Sequence, residues 1–199
     1  MPATQLGVEL RTVSKTYRHG PEPVVGLDRV SLVCPFGVFT AIMGPAGSGK
    51  STLLRSVAGL ERADSGQVRV DGTALGSLDE AELTALRNKK IGYVAGPAVG
   101  ARAVAQTLAA LPAVFLADEP TGALDAVSSR QVLTMMRNVT DDAGRAVVMA
   151  TSDPTAAAYA DQVILLSGGR VAATLEFPTT EEITTRLAAL HTPPAPNGD

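Results

Sequence analysis

This chain of 199 residues has a single cysteine, two histidines and little excess charge of either sign. With no second cysteine, Cys34 cannot close an internal disulfide, which excludes a disulfide-built scaffold and points to a reducing, cytoplasmic setting. Cys34 itself reads as a small buried apolar residue. A net charge of −3 with a pI near 5.4 gives no reason to expect a nucleic-acid partner. The opening MPATQLGVEL lacks the basic and apolar regions of a signal peptide. No apolar run approaches the roughly 18–20 residues that a membrane helix needs, so no membrane span is expected and any membrane role must come through a partner. There is no internal repeat.

What is present suits a globular domain with a real core: 45% of residues are hydrophobic and 19% charged. Short β-rich runs alternate with helical segments, the pattern of an α/β sheet. Strands are expected over 6–17, 25–34, 38–43, 91–94, 113–117, 146–151, 162–166 and 170–177, with a further short strand after the turn at 63–66. Helices are expected over 50–60, 77–90, 101–111, 126–139 and 154–160. Gly59 stands where a left-handed residue ends a helix. Ser77 with Glu80 spells a capping box, and Lys89 and Lys90 suit the negative end of the helix they close. The proline-rich end, 191–199, reads as a disordered tail.

Gly44-Pro45-Ala46-Gly47-Ser48-Gly49-Lys50-Ser51 fits the phosphate-binding pattern G-x-x-x-x-G-K-[ST], with Thr52 following. It lies between an apolar strand and a helix, where backbone N–H groups can curl around phosphate oxygens and the helix start adds a positive pole. Lys50 is the expected contact for the β- and γ-phosphates, and the Ser51 hydroxyl for Mg²⁺. The bland alternative is an ordinary glycine-rich turn from strand to helix. AVFLADEP is an apolar strand ending in two acids. Asp118 is the second expected Mg²⁺ contact and Glu119 the group that polarises an attacking water. Acids after a strand are often only helix caps.

Taken together, GPAGSGKSTLLRSVAGLERADSGQVRVDG and LADEPTGALD resemble the ATP-binding subunits of ABC transporters, in wording closest to the lipoprotein-releasing and macrolide-export class. The resemblance implies a RecA-like P-loop core with a mostly parallel sheet flanked by helices and an antiparallel β edge. It implies bound ATP and Mg²⁺, a D-loop at Ala123-Leu124-Asp125, and Tyr17 as the aromatic that stacks on adenine. It also implies a second ATP-binding subunit and an integral-membrane permease as partners, with the chain on the cytoplasmic side. An exposed strand tyrosine is the alternative for Tyr17.

The departures from that family matter as much. Gly96 stands where the family has a glutamine that contacts Mg²⁺. Ser152 stands where it has a switch histidine, and a hydroxyl cannot become cationic near neutral pH. His19 and His191 lie too far along the chain to substitute. The helical subdomain that ends in the LSGGQ signature is expected to be largely absent, because residue 94 is followed within a handful of residues by the helix at 101. Residues 1–190 would then form a truncated nucleotide-binding domain. Leu166-Ser167-Gly168-Gly169 imitates the signature but falls between two β-rich runs, so it reads as a hairpin turn. Three functions remain open: a subunit that binds Mg-ATP and hydrolyses it poorly, a non-catalytic ATP-dependent interaction module or deleted paralogue, and an unrelated P-loop phosphotransferase, which DEPTGALD argues against.

Overall fold

The computed structural model describes residues 5–18, 22–96 and 100–191. In chain order the elements are β1 (Leu6–Tyr17), β2 (Val24–Pro35), β3 (Phe39–Met43), α1 (Lys50–Val57), β4 (Ser65–Val70) and β5 (Thr73–Ala74). A short 3₁₀ turn at Leu75–Ser77 leads to α2 (Glu80–Lys90), β6 (Ile91–Ala95), α3 (Ala101–Ala109) and β7 (Val114–Asp118). The chain continues through α4 (Ala126–Ala143), β8 (Ala146–Ala150), α5 (Pro154–Ala157), β9 (Gln162–Ser167), β10 (Arg170–Glu176) and α6 (Thr180–His191).

The strands form a six-stranded sheet of order β10-β9-β3-β8-β7-β6 and a four-stranded sheet of order β2-β1-β4-β5. In the larger sheet every pairing is parallel except β9 with β10. Its inner strands are largely apolar because both faces are covered, and the buried polar pair among them, Thr40 and Gln162, is joined by a hydrogen bond (2.7 Å). Successive side chains then alternate between two cores. Ile42, Leu116, Val148 and Ile164 enter one core, shared with α1 and the antiparallel sheet. Met43, Phe115, Met149 and Val163 enter the other, closed by Val104 and Leu108 of α3, Val132 and Met136 of α4 and Ile183 of α6. This arrangement brings the carboxyl ends of β3, β6, β7 and β8 to one edge, where ligands bind in open parallel sheets.

The expected fold class holds, with corrections. The antiparallel part is a separate four-stranded sheet as well as the β10 edge. The capping box sits two residues later than expected: Asp79, not Ser77, caps α2, and Glu82 returns the bond to the Asp79 N–H. Asp79 displaces Ser77 because Leu75–Ser77 is already committed to the 3₁₀ turn, where Ser77 Oγ donates to Ala74 O (2.9 Å). The helix α6 was not expected, and it takes in His191, the first residue assigned to the tail. The rest of that tail lies outside the described residues, as does His19. Among the described residues no helix is long and apolar enough to cross a membrane.

Candidate functional site

The loop 44–49 leaves the fully buried β3 and feeds α1, whose N-cap is Gly49 in the left-handed region at φ 103°. Its glycines are required by close approaches of backbone. A Cβ on Gly44 would lie 2.1 Å from the Leu166 carbonyl oxygen, and one on Gly49 would lie 2.2 Å from the Gly26 carbonyl oxygen. Gly47 (φ 76°) faces open space instead, so the loop is walled on its protein side and clear on the other. Ser48 N–H donates to Pro45 O (3.1 Å), tightening the turn. Lys50 Nζ folds back and donates to the carbonyls of Gly44 (2.7 Å) and Pro45 (3.1 Å), which keeps the ammonium at the loop. Ser48 Oγ is buried and pairs with no described atom. Buried hydroxyls are normally hydrogen-bonded, so the loop offers an unused donor as well as a cation. These residues fit a phosphate group. Ser51 is exposed and Thr52 nearly buried.

Asp118 ends β7 in register with Ala95 of β6 and Ala150 of β8, at the same sheet edge as the loop. Neither Asp118 nor Glu119 caps a helix, so the bland alternative fails for both. Glu119 takes φ 50°, rare for a side chain of its size, and its N–H donates to Ala150 O (2.9 Å). That backbone turns the carboxylate toward Ser152, whose N–H donates to Glu119 Oε2 (3.3 Å). At the switch position, then, it is the backbone and not the serine side chain that holds Glu119. Among the described residues no group of three or more His, Cys, Asp or Glu could hold a metal. A cation here would rest on Ser51 and Asp118 with oxygens from elsewhere, as the hard Mg²⁺ prefers. Asp125, expected in the D-loop, is the N-cap of α4: its Oδ1 accepts from the N–H groups of Val127 and Ser128 (2.9 Å each). Gly96, just beyond β6, has φ 111° and no atom near its missing side chain.

Tyr17 ends β1 half-buried beside the loop. Its hydroxyl bonds Thr52 Oγ1 (3.1 Å) and the Glu61 carboxylate, and its ring packs over Gly26, where a Cβ would lie 2.8 Å from Tyr17 Cε2. Lys15 Nζ stands 5.8 Å from the ring centroid. Burial, and then the bond to Glu61, raise the tyrosine pKa, so the phenol stays protonated. Tyr17 is not an isolated surface residue.

The tetrad Leu166–Gly169 closes the β9–β10 hairpin, with Ser167 paired to Arg170 and both glycines at positive φ. It is not a loop opening a helix. Sequence reasoning passed over Gly26, which lies against the loop, and Glu61, which holds Tyr17, and it named Leu166 and Gly169 as a hairpin turn without placing them against the loop. Only Gly26 carried a signal, as an isolated glycine in a strand pattern marks close backbone approach.

The β6–α3 connection is residues 96–100, too short for a helical lobe. The ABC transporter family model matches residues 27–99, ending at that junction. The lipoprotein-releasing system ATP-binding protein LolD of Bordetella avium is 32% identical, covering 86% of this chain and 99% of its own length. That alignment spans 227 positions, more than the 199 residues of this chain, so LolD carries segments that this chain lacks. The macrolide export ATP-binding/permease protein MacB of Rhodospirillum rubrum is 34% identical over 82% of this chain, which spans 33% of MacB. A dimeric structure of MJ0796, a bacterial ABC transporter cassette, is similar with a TM-score of 0.79 at 28% identity, covering 86% of this chain and 99% of that one. A post-hydrolysis MJ0796 dimer bound to ADP and Pi gives 0.78. With its loop, acid pair and sheet order in place, this chain belongs to the ATP-binding subunits of ABC transporters, in the class of the lipoprotein-releasing and macrolide-export proteins.

Proposed function

We propose that this subunit binds Mg-ATP through residues 44–52, Asp118 and Tyr17, and that alone it hydrolyses ATP slowly or not at all. The observation that carries the binding half is the loop itself, with Lys50 Nζ held on the Gly44 and Pro45 carbonyls and a buried, unpaired Ser48 hydroxyl. Lys50 exchanges those carbonyls for phosphate oxygens. The backbone N–H groups of 46, 47 and 49–51 supply the rest of the cradle, the Ser48 N–H being held by Pro45 O, and Thr52 and Tyr17 lie together where the nucleoside end would rest. Ser51 and Asp118 would hold Mg²⁺, which would supply positive charge against the phosphates. Glu119 is the group placed to orient a water and accept its proton.

Turnover is the weak half. Ser152 offers Glu119 a backbone donor but no cationic side chain, and Gly96 offers none at all. The residues joining β6 to α3 leave no helical lobe to close a site across a dimer. Losing one transition-state donor typically costs about 10²–10³ in rate, and here several are gone together. The MacB relative carries its own permease and the MJ0796 cassette is a dimer, so a permease and a second ATP-binding subunit are the proposed partners at the cytoplasmic face of the membrane. A second reading, a module that binds ATP to engage a partner without turnover, is favoured by the same short β6–α3 connection.

Titration calorimetry tests the binding half. Mg-ATP binds the wild type, and Lys50→Ala weakens it at least tenfold; equal affinity in the two would refute the site. Phosphate release tests the other half. Robust turnover that Glu119→Gln abolishes would show that the missing parts are dispensable.

A further inference from the structure

The signature-like tetrad does not grip a neighbour's nucleotide, but its turn is bonded to the phosphate loop of its own chain. Gly169 N–H donates to the Ser48 carbonyl (3.1 Å), and the Gly169 carbonyl accepts from Asp28 N–H (2.8 Å). Arg170 Nε donates to Asp28 Oδ2 (2.8 Å), fastening the hairpin to β2 a second time. The Leu166 carbonyl lies against Gly44 so closely that no Cβ fits. Gly169 is buried while Gly168, its neighbour in the turn, is exposed.

Resting on the nucleotide-site reading, we propose that Gly169 is a positioning residue for phosphate binding. A trans peptide is planar, with its C=O and N–H pointing in opposite directions. Gly169 N–H pulls the Ser48 carbonyl toward the hairpin, so the N–H of the same peptide, on Gly49, is aimed away from it and into the loop. The hairpin thereby sets one donor of the cradle before any anion arrives, which removes an ordering cost from binding. The second glycine of the turn serves this contact and the first does not. A Cβ on Gly169 would lie 3.1 Å from Gly26 O and 3.3 Å from Asp28 N and Leu27 Cα, whereas one on Gly168 would meet nothing. Both have positive φ, 76° and 54°, which asparagine tolerates better than other side chains. Asparagine at either position therefore tests the turn alike, but only at 169 does its Cβ press on the Gly26–Asp28 backbone of β2 to which the turn is fastened, which shifts the turn and loosens its bond to Ser48.

The experiment compares Gly168→Asn and Gly169→Asn in the full chain. Mg-ATP affinity by calorimetry is expected to stay within twofold of wild type for Gly168→Asn and to fall at least fivefold for Gly169→Asn, with similar melting temperatures for the two nucleotide-free variants. Amide spectra of the nucleotide-free proteins are expected to show the Gly49 resonance moved by Gly169→Asn and not by Gly168→Asn. Affinity within twofold for Gly169→Asn, equal losses in both variants, or an unmoved Gly49 resonance overturns the proposal. If the wild type binds no Mg-ATP, the nucleotide reading fails, and the Gly49 resonance still judges the prop by itself. Should Gly169→Asn not fold, hydrogen exchange on the wild type decides. Mg-ATP should slow exchange of the Gly169 amide and leave Leu175, at the far end of the hairpin, unchanged; no slowing overturns the proposal.

Discussion

Asp125 shows how one carboxylate closes the start of a helix, accepting from Val127 N–H, Ser128 N–H and the Ser128 hydroxyl. The Ser128 N–H, and then its hydroxyl, hold the Asp125 carboxyl below its ordinary value of 3.8. Asp64 is depressed likewise, chiefly by the Thr16 N–H. A group whose folded-state pKa is lowered contributes stability that is full above the unfolded value and lost as pH falls through the folded one. Denaturant midpoints of the wild type should therefore drop below about pH 4, and Asp125→Asn, which keeps an acceptor oxygen but cannot ionise, should flatten that acid limb. Superimposable limbs in the two proteins would show that the cap is not titrating. Cys34 behaves in the opposite sense: burial pushes its thiol up to about 12. Near pH 8 it is a neutral, inaccessible thiol, so a colorimetric thiol reagent should label it only after denaturant is added. Labelling of the native protein at the rate of a free thiol would place Cys34 at the surface.

At the scale of elements, Asp161 joins what the strands alone would leave loose. Its Oδ2 accepts from Phe39 N–H at the start of β3 (2.8 Å), and its Oδ1 from Arg137 Nη1 of α4 (2.8 Å). Its carbonyl accepts from Phe177 N–H after β10 (2.6 Å). Asp161→Ala leaves a half-buried guanidinium with one partner fewer and a backbone donor unpaired, which should cost about 2–4 kcal/mol in denaturant unfolding. A loss near zero would mean that solvent already satisfies both groups. The same scale shows what was legible in the sequence. The inner strands were readable because each is a bounded apolar run, and the phosphate loop because its pattern is contiguous. The helix α6 was missed although Ile183, Leu187 and Leu190 share one face, since threonines dilute that pattern. Its capping box was also overlooked: Thr179 N–H donates to Glu182 Oε2 (2.8 Å), and Glu182 N–H donates to Thr179 Oγ1 (3.2 Å). The walls of the site were illegible for a different reason. Gly26, Glu61, Leu166 and Gly169 act through contacts between distant segments, and the backbone atoms among them leave no side-chain signature.

At the scale of the whole molecule, the question is whether two copies can complete a site that one cannot. Two copies would offer two loops of the 44–51 type, each without a lobe on the other copy to face, because 96–100 is all that separates β6 from α3. Repairing single positions does not supply that surface. Ser152→His would restore an imidazole at the switch, but Gly96→Gln would place a long side chain at φ 111°, a conformation that L residues avoid. Sedimentation in Mg-ATP should accordingly find a single species near the 20.4 kDa of one chain, and phosphate release should stay at background in the wild type and in the Ser152→His, Gly96→Gln double variant. A nucleotide-dependent species of twice that mass with turnover above background would show that two copies close a site by a route that needs no helical lobe.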